Sequence, residues 1–572
     1  MRVARAIPVP AREYVRAHVP HALWVQLRDV ANGKTLPQQA TRALRRRVAA
    51  SVVRTTERHS VPVTVAGRVL AAVPVETFAA SRALEENLAL VADALEAAGV
   101  PYVVIDSRQG TRRVVMVRED HRAKVFSALA TTGSESLYAA PVRDRAVGRP
   151  RRVSRVPRSR PAPVYRFFRI HASPGGTLLG GAELGCDVEF WPVSTAFRHT
   201  EYNGEKIPPG SLLAPRANRW ASLLLPDEQE TTTAEVGGSP RPVLAAFTHP
   251  HVESVQFPVD VVYTWVDGND PDWMARKAAA LAEAGGDASG LHRLAMNDSR
   301  FQSRDELRYS MRSLDMYADW VRHVYLVTDD QVPPWLDTSN PKLTVVSHRE
   351  LFGDRGQLPT FNSHAIETQL HRIDGLSEQY LYLNDDVFFG RPVSPEHFFH
   401  ANGVSKYFIS KAKIGVGPIS PDDPPVMSAG KRNRDLVAEE FGVTITNKFW
   451  HVPHALRRSV MEEIEDRFPG DVKRTAASQF RSPDDISMSA SLGHYVGFLT
   501  NRAAPGRLRY FYADIARPDT PARLATLVDE RGFDVFCLND HDSGGLDPQE
   551  QLRIVGGFLD AYFPLPSSFE RP

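Results

Sequence analysis

The run Tyr380-Leu381-Tyr382-Leu383-Asn384-Asp385-Asp386-Val387-Phe388-Phe389 constrains the fold of this chain more than any other. Its aromatic and aliphatic residues suit a strand buried on both faces, and that strand delivers two adjacent carboxylates to its end. Neighbouring carboxylates repel, so the pair is either a solvated strand-to-loop turn or a place where a hard divalent cation offsets the charge. The segments on either side decide between these.

From Val259 onward strand and helix patterns alternate. Val259 to Trp265 is a β-branched and aromatic strand ending in the turn formers Asp267-Gly268-Asn269-Asp270-Pro271. Ser303-Arg304-Asp305-Glu306 has capping-box spacing, and Leu307, Met311 and Leu314 set an apolar stripe on the helix it opens. Further strands are expected over Val324 to Thr328, Leu343 to Val346 and Tyr380 to Leu383, with a helix over Ala365 to Ile373. This grammar implies a mostly parallel sheet with its ligand crevice beyond the carboxyl ends of the strands, where Asp267, Asp329, Asp385 and Asp386 fall.

A chain of 572 residues exceeds what one core organises. Three regions are expected: an N-terminal segment over 1–75, an accessory α+β region over 76–250, and a catalytic domain over 258–568. In the accessory region a helix through Leu84 to Ala98 stops at Gly99, and strands follow at Tyr102 to Ile105, Arg113 to Val117, Val164 to Ile170 and Val188 to Trp191. The Arg/Pro-rich stretch 143–163 reads as a solvated linker, with a patch for anionic lipid or polymer as the alternative. Arg45-Arg46-Arg47 forms a small basic cluster with no chemistry attached.

Lys and Arg number 69 against 68 Asp and Glu, so no global field favours nucleic acid or membrane, and no nucleic-acid partner is expected. Cys186 and Cys537 alone cannot build a disulfide framework or a thiolate zinc site, which fits a reducing compartment. No run approaches the ~18 apolar residues of a spanning helix. A cytoplasmic enzyme is the expectation, and any membrane association would be peripheral, at the inner face.

Four other clusters carry candidate chemistry. Asp267 and Asp270 flank a glycine turn that could contact a ribose or a metal, or be an ordinary turn. Gly430-Lys431-Arg432-Asn433-Arg434 is a basic cluster expected just before a helix, suited to phosphate oxygens or to a plain charged surface. His451-Val452-Pro453-His454 offers groups that titrate near neutrality, though two locally satisfied histidines would look the same and zinc ranks low. Arg481-Ser482-Pro483-Asp484-Asp485 precedes a segment, Ile486 to Leu492, expected to be helical, so Asp484 could equally serve the helix dipole.

Together these segments resemble the Stealth family of hexose-1-phosphate transferases, which includes bacterial capsule and exopolysaccharide polymerases and the animal GlcNAc-1-phosphotransferase. Asp260 to Gly268 resembles the family's first block. The second is matched by Phe301 to Thr328 with Leu358 to Asn362 and Asn384-Asp385-Asp386, the third by His451 through Asp485, and the fourth by Cys537-Leu538-Asn539-Asp540. The resemblance implies an α/β catalytic domain, Rossmann-like and glycosyltransferase-A-like, beside the α+β accessory region. It implies transfer of a hexose-1-phosphate, N-acetylhexosamine-1-phosphate above all, from a UDP-sugar to a saccharide or polysaccharide hydroxyl. UMP would leave, and Mg²⁺ or Mn²⁺ would serve as cofactor. Residue by residue, it makes Asp386, His451, Arg481 and Arg432 the catalytic candidates, and Asp385, Asp386 and Asp540 the metal ligands. Asp267, Asp270, Arg304, Asn362, Arg434, His454 and Asn539 are the substrate-binding candidates. Ser482 stands where the family's animal members have histidine, so no role passes to it. The nearest rival is a metal-dependent glycosyltransferase releasing UDP. A non-catalytic carbohydrate-binding protein is the rival of another class.

Overall fold

The computed structural model describes residues 59–65, 67–106, 112–131, 136–143, 146–157, 161–283, 303–420, 422–540 and 547–572. Arg45-Arg46-Arg47 and the beginning of the Phe301 block lie outside the described residues. The chain divides into two compact units, one comprising residues 1–75 with 170–178, the other 76–169 with 179–572. The sequence boundary between accessory and catalytic regions falls inside the second unit.

In the first unit, β1 (Val61–Val65) and β2 (Arg68–Pro74) form an antiparallel hairpin, with Val61 opposite Ala72. β2 continues in parallel beside His171–Ala172.

The second unit opens with α1 (Ala80–Ala97), whose Leu84, Leu88, Val91 and Leu95 bury one stripe at helical spacing. Gly99, at φ 59°, turns the chain out of the helix, a backbone state that glycine takes without steric cost. Strands β3 (Val103–Asp106), β4 (Arg113–Arg118), β5 (Tyr138–Arg143), β6 (Val164–Phe168) and β7 (Cys186–Trp191) form one mixed sheet in the order β3-β4-β7-β6-β5. Only β4 and β7 run parallel among these neighbours. The Arg/Pro-rich stretch extends this sheet's edge: Ala146–Val147 and Arg151–Arg152 pair with β5, and Val153 and Ala162 are buried.

The part that positions the site begins at β8 (Val259–Thr264), followed by α2 (Pro271–Glu283), α3 (Glu306–Tyr317), β9 (Val324–Thr328), β10 (Leu343–Ser347), α4 (Ser363–Glu367) and β11 (Gln379–Asn384). Next come β12 (Val387–Phe389), α5 (Pro425–Phe441), β13 (His454–Arg457), α6 (Pro469–Ala476), β14 (Tyr510–Asp514) and β15 (Val535–Asn539). The main sheet has the order β10-β9-β8-β11-β13, with the first four strands parallel and β13 antiparallel at the edge. A smaller sheet, β12-β15-β14, continues from the end of β11. The architecture is therefore mixed α/β with one largely parallel sheet.

The strands alternate as period-two geometry requires. Val262, Tyr380 and Tyr382 join a core with Phe352, Leu370, Leu456, Ile464 and Leu492. Tyr263 faces the other way, and its hydroxyl meets Ser310 Oγ of α3 at 2.9 Å. Ser310 in turn donates to the Val387 carbonyl, which ties α3 to the turn that follows the carboxylate pair. Asp260, fully buried, accepts from the Arg322 guanidinium and the Ser377 N–H, so its charge is matched inside the sheet.

Four local expectations are corrected. Ser303 does not cap α3: Asp305 is the N-cap in the left-handed region (φ 63°), and the Glu306 carboxylate bonds the Arg304 N–H. The basic cluster lies inside α5, because the Pro424-Pro425 pair starts that helix earlier, with proline at its first position. The helix expected over Ala365 to Ile373 stops at Glu367 and resumes as a tight 3₁₀ turn over Leu370–Arg372, which keeps Leu370 and Ile373 in the core. The helical segment expected over Ile486 to Leu492 does form, but it starts at Met488 and winds as a π-helix before the α-helix Gly493–Leu499. Among the described residues no helix is long and apolar enough to cross a membrane.

Candidate active site

The chain steps from β8 to β9 and β10 on one side, then returns to place β11 against the other side of β8. Strand order therefore reverses between β8 and β11, and parallel sheets bind ligands beyond the carboxyl ends at such a switch point. Thr264 and Asn384 are register partners there, and the next residues on the β11 side are Asp385 and Asp386.

Asp386 collects donors from three segments. Its Oδ1 meets His451 Nε2 at 3.0 Å, and its Oδ2 accepts from Asn539 Nδ2 at 2.9 Å and from Cys537 Sγ at 3.4 Å. Burial works to raise its pKa, but the His451 charge and these hydrogen bonds outweigh burial and hold it below the usual 3.8. His451 shows the reciprocal effect. Burial opposes its charged form, yet Asp386, with Glu367 and Asp385 behind it, raises the imidazole above 6.5. A carboxylate partner at Nε2 fixes the proton there, and Nδ1 makes no hydrogen bond among the described residues.

Asp385 has the opposite environment. Burial first, then the charges of Glu306 and Asp386, push its carboxyl well above the ordinary range. Glu306 is likewise raised, by burial foremost, although the Arg304 guanidinium works against the shift. Arg304 also holds Asp540, with Nη2 2.7 Å from Oδ2. Arg304, Glu306, Asp385, Asp386, Asp540, His451 and Asn539 thus form one electrostatic network built from four chain segments.

Arg481 adjoins it. Its guanidinium donates to Ser363 Oγ at 2.7 Å, and burial lowers its pKa despite the opposing charges of Glu367 and Asp485. Glu367 acts on both Arg481 and His451, so the two catalytic candidates share a buried carboxylate.

The remaining candidates are engaged elsewhere. Asp267 and Asp270 hold Gln331, through the Asp267 backbone and Asp270 Oδ2, and shape the turn into α2. Asn362 caps α4 through the His364 N–H and donates to Asp485 Oδ2 at 2.8 Å. His454 is buried against His494, Nδ1 to Nε2 at 2.9 Å, and burial drives both imidazoles to the neutral form. Arg432 pairs with Asp471 of α6, and Arg434 donates to the carbonyls of Gly415 and Gly417. Glu306 and Glu367 join the site although they are not among the residues expected from the sequence. In the sequence the first reads as half of a capping box and the second as a residue of the expected helix, and the signal in each case is an acidic residue on an otherwise apolar, buried segment.

Among the described residues one donor set brings three ligand atoms together. Asp386, His451 and Cys537 bring ligand atoms within 4.8 Å of one another, a borderline-soft set suited to zinc-like ions. The ring proton and thiol proton of that set are already turned on Asp386, and burial keeps Cys537 a neutral thiol. The carboxylates expected to hold Mg²⁺ or Mn²⁺, Asp385, Asp386 and Asp540, do not converge into such a cluster among the described residues, since Asp540 is paired with Arg304.

Comparison with known proteins gives matches to four Stealth protein models: conserved region 1 over 257–285, region 2 over 300–407, region 3 over 450–498 and region 4 over 525–572. An exopolysaccharide phosphotransferase of Streptomyces coelicolor is 45% identical over 85% of this chain and 82% of its own length. A second from the same organism is 40% identical over 99% of this chain and 97% of its own. The exopolysaccharide phosphotransferase CpsY of Mycobacterium tuberculosis is 35% identical over 85% and 88%.

Proposed function

The chain belongs to the Stealth protein family, and on that footing we propose that it is an exopolysaccharide phosphotransferase that moves a hexose-1-phosphate from a UDP-sugar to a saccharide hydroxyl. The observation that carries this reading is the His451–Asp386 contact at 3.0 Å, set at the strand switch point beside the repelling carboxylates of Asp385 and Glu306. A glycosyltransferase-A-like arrangement of the main sheet accords with the same reading, as does N-acetylhexosamine as the donor sugar.

In this mechanism the acceptor oxygen forms a bond to the β-phosphorus as the bond from that phosphorus to the UMP oxygen breaks. The sugar C1–O bond is untouched, so anomeric configuration is retained and a phosphodiester results. His451 Nδ1 takes the hydroxyl proton, and Asp386 holds Nε2–H and stabilises the imidazolium that forms. Its raised pKa suits a base working near neutral pH. Arg481 stabilises charge on the phosphoryl oxygens, while Arg304 keeps Glu306 and Asp540 fixed on the opposite wall. Mg²⁺ or Mn²⁺, for which Asp385 and Asp386 at the end of β11 are the candidate ligands, would neutralise the pyrophosphate when bound.

The test is nucleotide release from UDP-N-acetylglucosamine and related donors with Mg²⁺ and saccharide acceptors, resolving UMP from UDP. UMP with retained configuration is the expected product. UDP would overturn the mechanism and make the chain a glycosyltransferase.

A further inference from the structure

Within the second unit lies a cavity of about 290 Å³, apart from the transfer site and lined by residues of α1, the start of β4 and the segments around 254–256, 319–320 and 392–396. Arg112, Arg113 and Arg219 contribute to its wall, together with Trp320 and Glu396.

Three carboxylates, Glu85, Asp319 and Glu396, share the wall with the three arginines, but the charges are not all paired with one another. Arg166 takes both oxygens of Asp187 at 2.6 and 3.1 Å, and Arg216 reaches Asp187 at 2.9 Å and Glu189 at 2.7 Å. Arg113 is paired with Glu85, and Arg391 with Asp534. Arg112 is a cation without a partner: among the described residues it forms no hydrogen bond or ion pair, and burial, with Arg166 next, pushes its pKa down to about 10. A half-buried guanidinium has five donors to satisfy, and an anion with several oxygens does so best. The wall also carries a buried acceptor without a donor, Glu396 Oε2, while Glu396 Oε1 receives only the Val255 N–H at 3.4 Å. Sugar hydroxyls donate to such an oxygen, and an indole such as that of Trp320 is the usual neighbour of a sugar's C–H face.

Resting on the reading above, we propose that this cavity is a second glycan site that binds a phosphodiester-linked saccharide, with Arg112 on the phosphoryl oxygens and Glu396 on a sugar hydroxyl. Its volume sits at the lower edge of the ~300–1,000 Å³ of small-molecule sites, which suits one sugar-phosphate unit better than a nucleotide sugar. The site would hold the phosphodiester chain away from the point of transfer.

The experiment measures binding to the full chain by calorimetry, with UMP occupying the transfer site, using methyl N-acetylglucosaminyl phosphodiester, inorganic phosphate and N-acetylglucosamine as probes. The diester should bind, and Arg112→Gln should weaken it about ten- to a hundredfold, the loss of one charge-assisted contact. Glu396→Gln should weaken the diester and leave inorganic phosphate unaffected. Arg112→Gln should also melt no lower than the wild type and keep the wild-type UMP release rate on a short unphosphorylated acceptor. Equal diester affinity in wild type and Arg112→Gln would overturn the site, and inorganic phosphate binding as tightly as the diester would reduce it to a bare anion pocket and overturn the glycan assignment. Because binding needs no turnover, a chain that released UDP yet lost the diester with Arg112→Gln would refute the transfer reaction and retain the site.

Discussion

Asp386→Asn isolates what the carboxylate does for His451. The side chain keeps its volume, and Asn539 and Cys537 retain an oxygen to donate to, so the β11–β12 turn should survive. The imidazole loses a charge-assisted partner at 3.0 Å, worth about 1.5–3 kcal/mol when the ring becomes cationic. An amide at that position also permits the opposite tautomer, which in carboxylate–histidine pairs brings the loss in turnover to about 10⁴-fold. The expected result is a fall in kcat of about 10²- to 10⁴-fold, read as UMP release, with the donor KM changed less than about threefold. Thermal unfolding should stay near the wild type, since the removed charge also repels Asp385. A kcat within about fivefold of the wild type would refute the role given to the pair, and a collapsed melting transition would mean that Asp386 is mainly structural.

Arg481→Gln should abolish most turnover and lower the denaturant unfolding midpoint, because the buried Glu367 loses the favourable charge of the nearby guanidinium. Adding Glu367→Gln should restore stability without restoring activity, and an unaltered unfolding midpoint in the single variant would count against that electrostatic coupling. Arg432→Ala, whose guanidinium is spent on Asp471, should lose far less turnover than Arg481→Gln in the same assay. His494, lowered to about 3 by burial, binds no proton in the folded chain at mildly acid pH while the unfolded chain does, so stability should fall as pH drops below about 6.5. His494→Leu should flatten that slope in pH-dependent melting, and an unchanged slope would exclude the His454–His494 pair as its source. Glu570 contributes in the opposite sense. Burial favours its neutral form, but Arg312 at 2.7 and 2.8 Å, the Ser567 N–H and Arg308 hold it at about 2, so its stabilisation is full above 4.5 and lost as pH falls toward 2. The fall from 4.5 to about 2 corresponds to stabilisation on the order of 2–3 kcal/mol, and Glu570→Gln should lose that amount at pH 7 and almost nothing at pH 2.

The sequence by itself determined the alternation of strand and helix from Val259 onward, because period-two and period-3.6 burial are written in consecutive residues. It also determined that Asp385 and Asp386 end a buried strand, since Tyr380 to Leu383 has no other use for so much apolar surface. Which side chains meet those carboxylates was decided only by tertiary structure. His451, Cys537 and Asn539 lie 65 to 153 residues from Asp386 in sequence, and no local pattern encodes contacts at that separation. Partner choice likewise separated residues that look equivalent as text: His451 found a carboxylate and His454 another histidine, while Arg481 was buried beside Glu367 and Arg432 was drawn to Asp471. Glu306 and Glu367 became part of the site for the same reason. A charge's role is set by the sign and burial of what surrounds it, and those surroundings exist only once distant segments have packed.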